Sequence, residues 1–387
     1  MRIAVTVLVV VVVVGIVGMQ VPGVREAIAP AVVRLVPIAG VRIPSATALQ
    51  KVVLAHSGDA QAWLGYAEAA RAAGQWDGLS LGTGGSGGLW RTAADTAYER
   101  AVTLRPELAA PRLRRALYAI EQATSGAPDG GAGGGSGRPT SAGLGQAGSG
   151  PQSPARPTNA RHGEVFPALD APNRARFRLA RTMLVRSVEL DPDNAAPLYL
   201  LAWLDMAEGK DAAALSRMRA ATGRKGWSLY DAEAGAALLH LLDLDPVTRH
   251  AAGMTAWNLQ VLSAVHVARI FRAVAGVGSR MAVEAARTGD DKQAALCLEA
   301  VLHLGRLVRL HAFDLATGLV AVGVVATPGT VFLPPEQAEE LRAERDRPVR
   351  RQRLVEARAR ALDAYLRKAG RPDLAAAYTA ERQAGER

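Results

Sequence analysis

The sequence predicts an all-α protein: a solenoid of paired helices with additional C-terminal helices, one N-terminal transmembrane helix and a disordered Gly/Ser/Pro-rich insertion. Three observations predict it. The 387 residues are 49% hydrophobic but only 5% aromatic, so the apolar content rests on Ala, Val and Leu, which favours helices over aromatic-rich strands and sets aside an all-β sandwich or barrel. Residues 3–19 carry no charge at all. Two passages further on repeat the same helix–turn–helix pattern without gaps. The length allows two or three ordinary domains. The single cysteine, Cys297, excludes an internal disulfide framework and any multi-cysteine zinc or iron–sulfur site.

The first element is the uncharged run. At about 1.5 Å per residue, residues 3–19 just span a hydrocarbon core. An uncleaved signal anchor over 1–20 is favoured over a cleaved signal peptide, because no small-x-small site closes the run and Ala27-Ile28-Ala29 is followed by Pro30. Arg2 before the run, against Arg25 with Glu26 after it, places the N-terminus in the cytoplasm and the bulk of the chain outside it. Residues 21–50 hold Pro22, Pro30, Pro37 and Pro44, too closely spaced for one continuous helix. They read as a stalk or short helices.

Residues 51–228 carry the repeat. Pro106-Glu-Leu-Ala-Ala-Pro-Arg-Leu-Arg-Arg-Ala116 aligns with Pro192-Asp-Asn-Ala-Ala-Pro-Leu-Tyr-Leu-Leu-Ala202, and similar helix ends precede both. Ahead of each proline lies a small–large–small face at i, i+4 and i+7: Ala94, Tyr98 and Ala101 before Pro106, then Ala180, Leu184 and Ser187 before Pro192. Such a face lets a neighbouring helix approach closely. A third copy has Ala214, Met218 and Ala221 with Gly226 in the proline's place, and a weaker fourth has Ala294, Leu298 and Val301. Small positions in the first helices fall at Ala67, Ala116 and Ala202, and turns are expected at Gly74, Gly209 and Gly289. This pattern resembles the tetratricopeptide repeat, a helix–turn–helix of about 34 residues. The first-helix signature differs in spacing, with Leu64-Gly65-Tyr66 directly after Trp63.

Two insertions fall inside the pairs, at 78–89 and at 124–172, the second rich in Gly, Ser and Pro. Such segments bury too little apolar surface to offset chain entropy, so disorder is expected. A phosphate-binding glycine loop is set aside, since no strand precedes it and no Gly-Lys-Ser/Thr ends it. Residues 229–333 continue as helical hairpins, with long helices over 255–287 and 291–327, and 334–387 read as charged C-terminal helices stopped at Gly370-Arg-Pro372. The uncharged stretch 315–333 reads as a buried helix, with a second membrane span as the alternative.

No enzyme is predicted, and no cofactor. Glu299 and His303 share a helix face, with His311 and Asp314 beyond them, but a metal site needs a third convergent ligand that the sequence does not supply. Cys297 is expected to be a buried thiol. The net charge of +10 favours anionic surfaces. Arg174, Arg178 and Arg181 form a basic stripe suited to anionic lipid or an envelope polymer, though a solvated face is the favoured reading. Stacking aromatics are missing apart from Phe177, so no nucleic acid is expected.

The resemblance implies that function lies on a concave face lined by first helices. Its register puts Leu64, Glu68, Arg71, Leu113, Leu117, Tyr199, Trp203 and Met206 there. The family's clamp for peptide carboxylates would need Lys, Arg and Asn at these mostly apolar positions. An apolar groove remains, open to a partner helix or strand, or filled by residues 21–50 or the C-terminal helix. The expected protein is a single-pass membrane scaffold for protein–protein assembly at a bacterial-type envelope. The alternative is an accessory subunit of a transport or export system with its second span at 315–333.

Overall fold

The computed structural model describes residues 46–79, 87–124, 159–161, 164–244, 252–310, 332 and 347–386. Over these it is all-α apart from one short strand pair. In chain order the helices are α1 (Ala46–Ala55), α2 (Ala60–Leu79), α3 (Gly87–Leu104), α4 (Ala109–Thr124), α5 (Ala171–Leu190) and α6 (Ala196–Ala207), followed by α7 (Asp211–Thr222), α8 (Asp231–Leu244), α9 (Ala252–Arg287), α10 (Asp291–Leu310), α11 (Arg347–Lys368) and α12 (Pro372–Glu386). Strands β1 (Asn159–Arg161) and β2 (Glu164–Phe166) pair antiparallel, Asn159 opposite Phe166. The expected anchor at 3–19 lies outside the described residues, as does 315–333 except for Phe332. Among the described residues no helix is long and apolar enough to cross a membrane.

The chain divides into two units. The first runs to Leu104 and resumes over Ala232–Ala264. Here α1 begins at residue 46, inside the expected stalk, and buries Leu49 and Val53. Asp59 caps α2, its Oδ1 accepting from the backbone N–H of Gln61 at 2.8 Å and of Ala62 at 3.2 Å. From Ala62 to Ala73 every residue of α2 is buried, as befits a helix apolar on nearly all sides. Gly65 is essential to that burial: a Cβ there would lie 2.2 Å from the Ala237 carbonyl oxygen on α8. The turn expected at Gly74 is absent, because α2 continues through it to Leu79. One glycine in a helix costs only about 1 kcal/mol, which tertiary packing overrides. On α3, Ala94, Tyr98 and Ala101 are all fully buried.

The second unit comprises Arg105–Asp231 and Val265 onward. Consecutive helices pack as pairs, α4 on α5 and α6 on α7, with α10 against α7 and α12. Ala180, Leu184 and Ser187 on α5, and Ala214, Met218 and Ala221 on α7, are fully buried, while Pro106 and Pro192 are exposed in turns. The insertion expected to reach residue 172 ends earlier. Phe166 at the end of β2 is fully buried against Trp203, and Asp170 caps α5 by accepting from Asn173 N–H at 2.9 Å. Burial of a large aromatic ring offsets part of the entropy lost in ordering the segment that carries it. Three hairpin turns share one construction. Gly209, Gly289 and Gly370 take φ of +75°, +79° and +73°. The next residue's N–H reaches back to Asp205 (2.7 Å), Ala285 (2.8 Å) or Leu366 (2.9 Å), a Schellman closure that favours glycine.

Candidate functional site

The structure places all eight expected groove residues in the interior, none more than 7% exposed. Leu64, Glu68 and Arg71 belong to the first unit, and Leu113, Leu117, Tyr199, Trp203 and Met206 to the second. Glu68 accepts from the Tyr98 hydroxyl at 2.8 Å, and its other oxygen pairs with Arg71 at 3.3 Å. Trp203 sits between the rings of Phe166 and Phe177, centroids 5.9 and 5.7 Å away. Tyr199 donates towards the Ala300 carbonyl of α10 at 2.8 Å. In the second unit, Trp203 is thus covered by the β2 end and α5, and Tyr199 by α10. Of the expected occupant 21–50, residues 21–45 lie outside the described residues.

The most elaborate polar arrangement is the loop 223–231 between α7 and α8. Asn194, in the α5–α6 turn, accepts from Ser228 N–H (3.0 Å) and from Ala196 N–H (3.0 Å), and donates to the Ser228 carbonyl (2.8 Å). Ala195 N–H donates to the Gly226 carbonyl at 2.9 Å, and Gly226 N–H to the Asp193 carbonyl at 3.1 Å. A Cβ on residue 226 would stand 3.0 Å from that carbonyl oxygen, a physical reason for glycine where the repeat pattern has proline. Trp227 packs on Phe271 (4.9 Å) and Tyr199 (6.3 Å). Arg114, 2% exposed, pairs with Asp231 at 2.6 Å. Tyr230 holds a left-handed φ of 57°, a strained conformation for a bulky residue. It is fixed by its hydroxyl on Asp191 and its N–H on the Ser228 hydroxyl.

His303 completes the arrangement from α10. Its Nε2 lies 3.1 Å from the Arg224 carbonyl and its Nδ1 3.0 Å from the Tyr199 hydroxyl, with the two rings stacked at 28°. A carbonyl can only accept, so Nε2 carries a hydrogen. Burial pulls the pKa of His303 below its ordinary value, aided by Arg306 and opposed by the Arg224 carbonyl and Glu299. Tyr199 is held well above its ordinary value by burial and by Glu299. Both histidine nitrogens are thus engaged. Glu299 pairs instead with Arg371 at 3.5 Å, while His311 and Asp314 lie outside the described residues. Among the described residues no group of three or more His, Cys, Asp or Glu is placed to hold a metal.

Cys297 is fully buried, and burial together with Asp290 pushes its thiol up to about 12. In the arginine stripe, Arg174 and Arg178 are exposed, but Arg181 is tied to Asp205 at 2.7 Å and Glu208 at 3.1 Å. Burial opposes the charge on Arg181, and those two carboxylates outweigh it.

Sequence reasoning missed Asn194, Trp227 and Tyr230. The Asp191-Pro-Asp-Asn194 run is an Asx-turn signal, but its partner loop lies 34 residues on. No family model matches the chain, and no curated protein or solved structure matches it either.

Proposed function

We propose that this protein is a membrane-anchored helical scaffold, built on tetratricopeptide-like pairs, that mediates protein–protein assembly at the cell envelope without performing catalysis. The observation carrying this reading is the recurrent pair. The faces Ala94/Tyr98/Ala101, Ala180/Leu184/Ser187 and Ala214/Met218/Ala221 share one spacing and are all fully buried. A repeated supersecondary unit that buries the same face each time is the basis of a repeat scaffold. The uncharged residues 3–19 support tethering in a bilayer. Because the expected groove positions pack the chain's own interior, the scaffold meets its partner on outer helix faces. The bulk of the chain is extracytoplasmic in this reading, and Phe332 favours a single span. That residue is half-buried and lies 4.7 Å from the Tyr365 ring, at the end of the stretch that a second span would occupy.

Membrane flotation of the full chain, compared with a chain lacking residues 3–19, tests the tether. The full chain is expected to float with lipid and the shortened one to stay in solution; equal partitioning overturns the anchor. In-cell crosslinking of the full chain should give discrete heteromeric species, and a chain that remains uncrosslinked overturns the scaffold.

A further inference from the structure

We propose that the α4–α5 pair carries a docking site for an acidic peptide segment of a partner protein, its carboxylate held by Arg112 with Arg186 beside it and its apolar side chains by Leu108 and Val185. Such a site rests on the scaffold reading and gives that partner a chemistry.

Arg112 is the charge left over on this surface. Its stem is buried, the residue being 8% exposed. Its Nη1 donates to the Leu108 carbonyl at 3.0 Å, one turn earlier. Its Nε and Nη2 have no acceptor among the described residues and stay open to solvent. Those two nitrogens form one edge of the guanidinium, the fork that takes a carboxylate through two parallel hydrogen bonds. The neighbouring charges cancel in pairs: Arg105 is tied to Glu107, and Arg186 to Glu189 at 2.5 Å. Burial and repulsion by Arg186 pull the Arg112 pKa below its ordinary value, with Glu107 opposing. Helix α4 adds to the imbalance, because the first turn at its positive end holds no acidic residue.

The aligned copy of the repeat shows how the chain satisfies the same position by itself. Residues 192–202 align with 106–116, so Leu198 stands where Arg112 does, and Asn194 where Leu108 does. Leu198 is 4% exposed, and Asn194 is bonded to the chain's own loop at Ser228. In the first copy the apolar filler is an arginine, and Leu108 is 39% exposed. Val185, next to Arg186 on α5, is exposed to the same extent. Single exposed apolar residues are ordinary. Two of them beside a surplus guanidinium match a peptide that alternates acidic and apolar side chains. One surplus charge is too few for a lipid surface, which is held by clusters of basic residues.

The test uses the full chain in detergent micelles and a dye-labelled, capped five-residue peptide of alternating leucine and glutamate, read by fluorescence anisotropy. Saturable binding is expected, weakened about tenfold or more when glutamine replaces the glutamates. Arg112→Leu, which copies the aligned repeat, should weaken it about tenfold while the urea midpoint holds or rises. Arg186→Gln, at an exposed position, should weaken it about threefold. Equal affinity for the two peptides overturns the site, as does undiminished binding to both variants. Binding of a phosphoserine version about tenfold tighter reassigns the site to phosphate and overturns the carboxylate. Self-association of the full chain that vanishes in Arg112→Leu makes a second copy the occupant and also overturns it. In cells, crosslinked species that persist unchanged in Arg112→Leu defeat this site alone; their absence from the unsubstituted chain defeats the scaffold.

Discussion

Helices α2 and α6 hold equivalent places in the sequence pattern, yet they fill them with opposite chemistry. On α2 the positions at i, i+4 and i+7 are Leu64, Glu68 and Arg71; on α6 they are Tyr199, Trp203 and Met206. Both triplets are buried. The first unit accepts a carboxylate and a guanidinium into its interior by pairing them one turn apart and adding the Tyr98 hydroxyl. The second unit packs rings. Register thus decides which residues go inside, and local pairing decides which chemistry can be tolerated there. Buried ion pairs gain little over apolar residues of the same volume but are costly to break.

That contrast can be broken most sharply at the charges. Arg71→Met removes the guanidinium that pairs with buried Glu68 at 3.3 Å and should destabilise by up to about 3–5 kcal/mol. Combining it with Glu68→Leu should recover most of the loss, seen as a urea midpoint returning towards the parent. A double variant as unstable as the single one would mean that the pair's other contacts dominate. In the second unit, Trp203→Ala empties the space between Phe166 and Phe177 and should cost about 3–5 kcal/mol, with no second substitution able to restore it by charge removal.

The two glycines at helix crossings sharpen the same comparison on a smaller scale. At Gly65 an added methyl meets the backbone of α8, which cannot swing aside, so Gly65→Ala should lose about 1–3 kcal/mol. At Gly278 the methyl meets Val301 Cγ2 at 2.8 Å and Met218 Cε at 2.9 Å. The methionine end can move, but the stiff Val301 side chain must also give by a few tenths of an ångström, a cost that alanine's helix preference of up to about 1 kcal/mol partly offsets. Gly278→Ala should therefore change thermal stability by less than about 1 kcal/mol. Equal losses at the two sites would refute this distinction between backbone and side-chain neighbours.

The smallest effect is expected at the first unit's surface, where Asp59 lies 2.6 Å from His240 Nε2. Burial raises the Asp59 pKa, but His240 and the two capping N–H groups outweigh it and hold the acid below its ordinary 3.8. A lowered carboxylate stabilises the fold above its ordinary value and loses that contribution as pH falls through the folded one. Asp59→Asn keeps a capping oxygen. It should cost under about 1 kcal/mol at pH 7, with thermal melts of the two proteins converging below pH 3.8. A gap that persists in acid would assign the effect to packing.

The helices themselves were legible in the sequence, and so was their inward face. Ala94, Tyr98 and Ala101, with their counterparts on α5 and α7, could be chosen by spacing because helix periodicity is a local property. The Gly209, Gly289 and Gly370 turns were legible for the same reason. The use of the interior was not. Nothing near Tyr199 announces Ala300 or His303, which lie 101 and 104 residues away. Spacing marked the groove lining but could not show that α10 covers Tyr199. Gly74 misled because a turn signal and a tolerated helix glycine look alike over a few residues, and only the packing around α2 separates them. Phe166 was hidden by its setting, a single ring at the end of a low-complexity stretch.

The zipper between the α5–α6 turn and the loop after α7 also bears on how the chain assembles. Asn194 and Ser228 are 34 residues apart, whereas the ties that Arg114 and His303 make to the same loop span 117 and 79 residues. Closure entropy grows with the length enclosed, and contacts between near neighbours in sequence speed folding. The α6–α7 hairpin, clasped by Asn194 at its mouth, is accordingly expected to be a nucleus onto which α4 and α10 later condense. Substitution of Asn194 should then slow refolding, and substitution of His303 should mainly hasten unfolding.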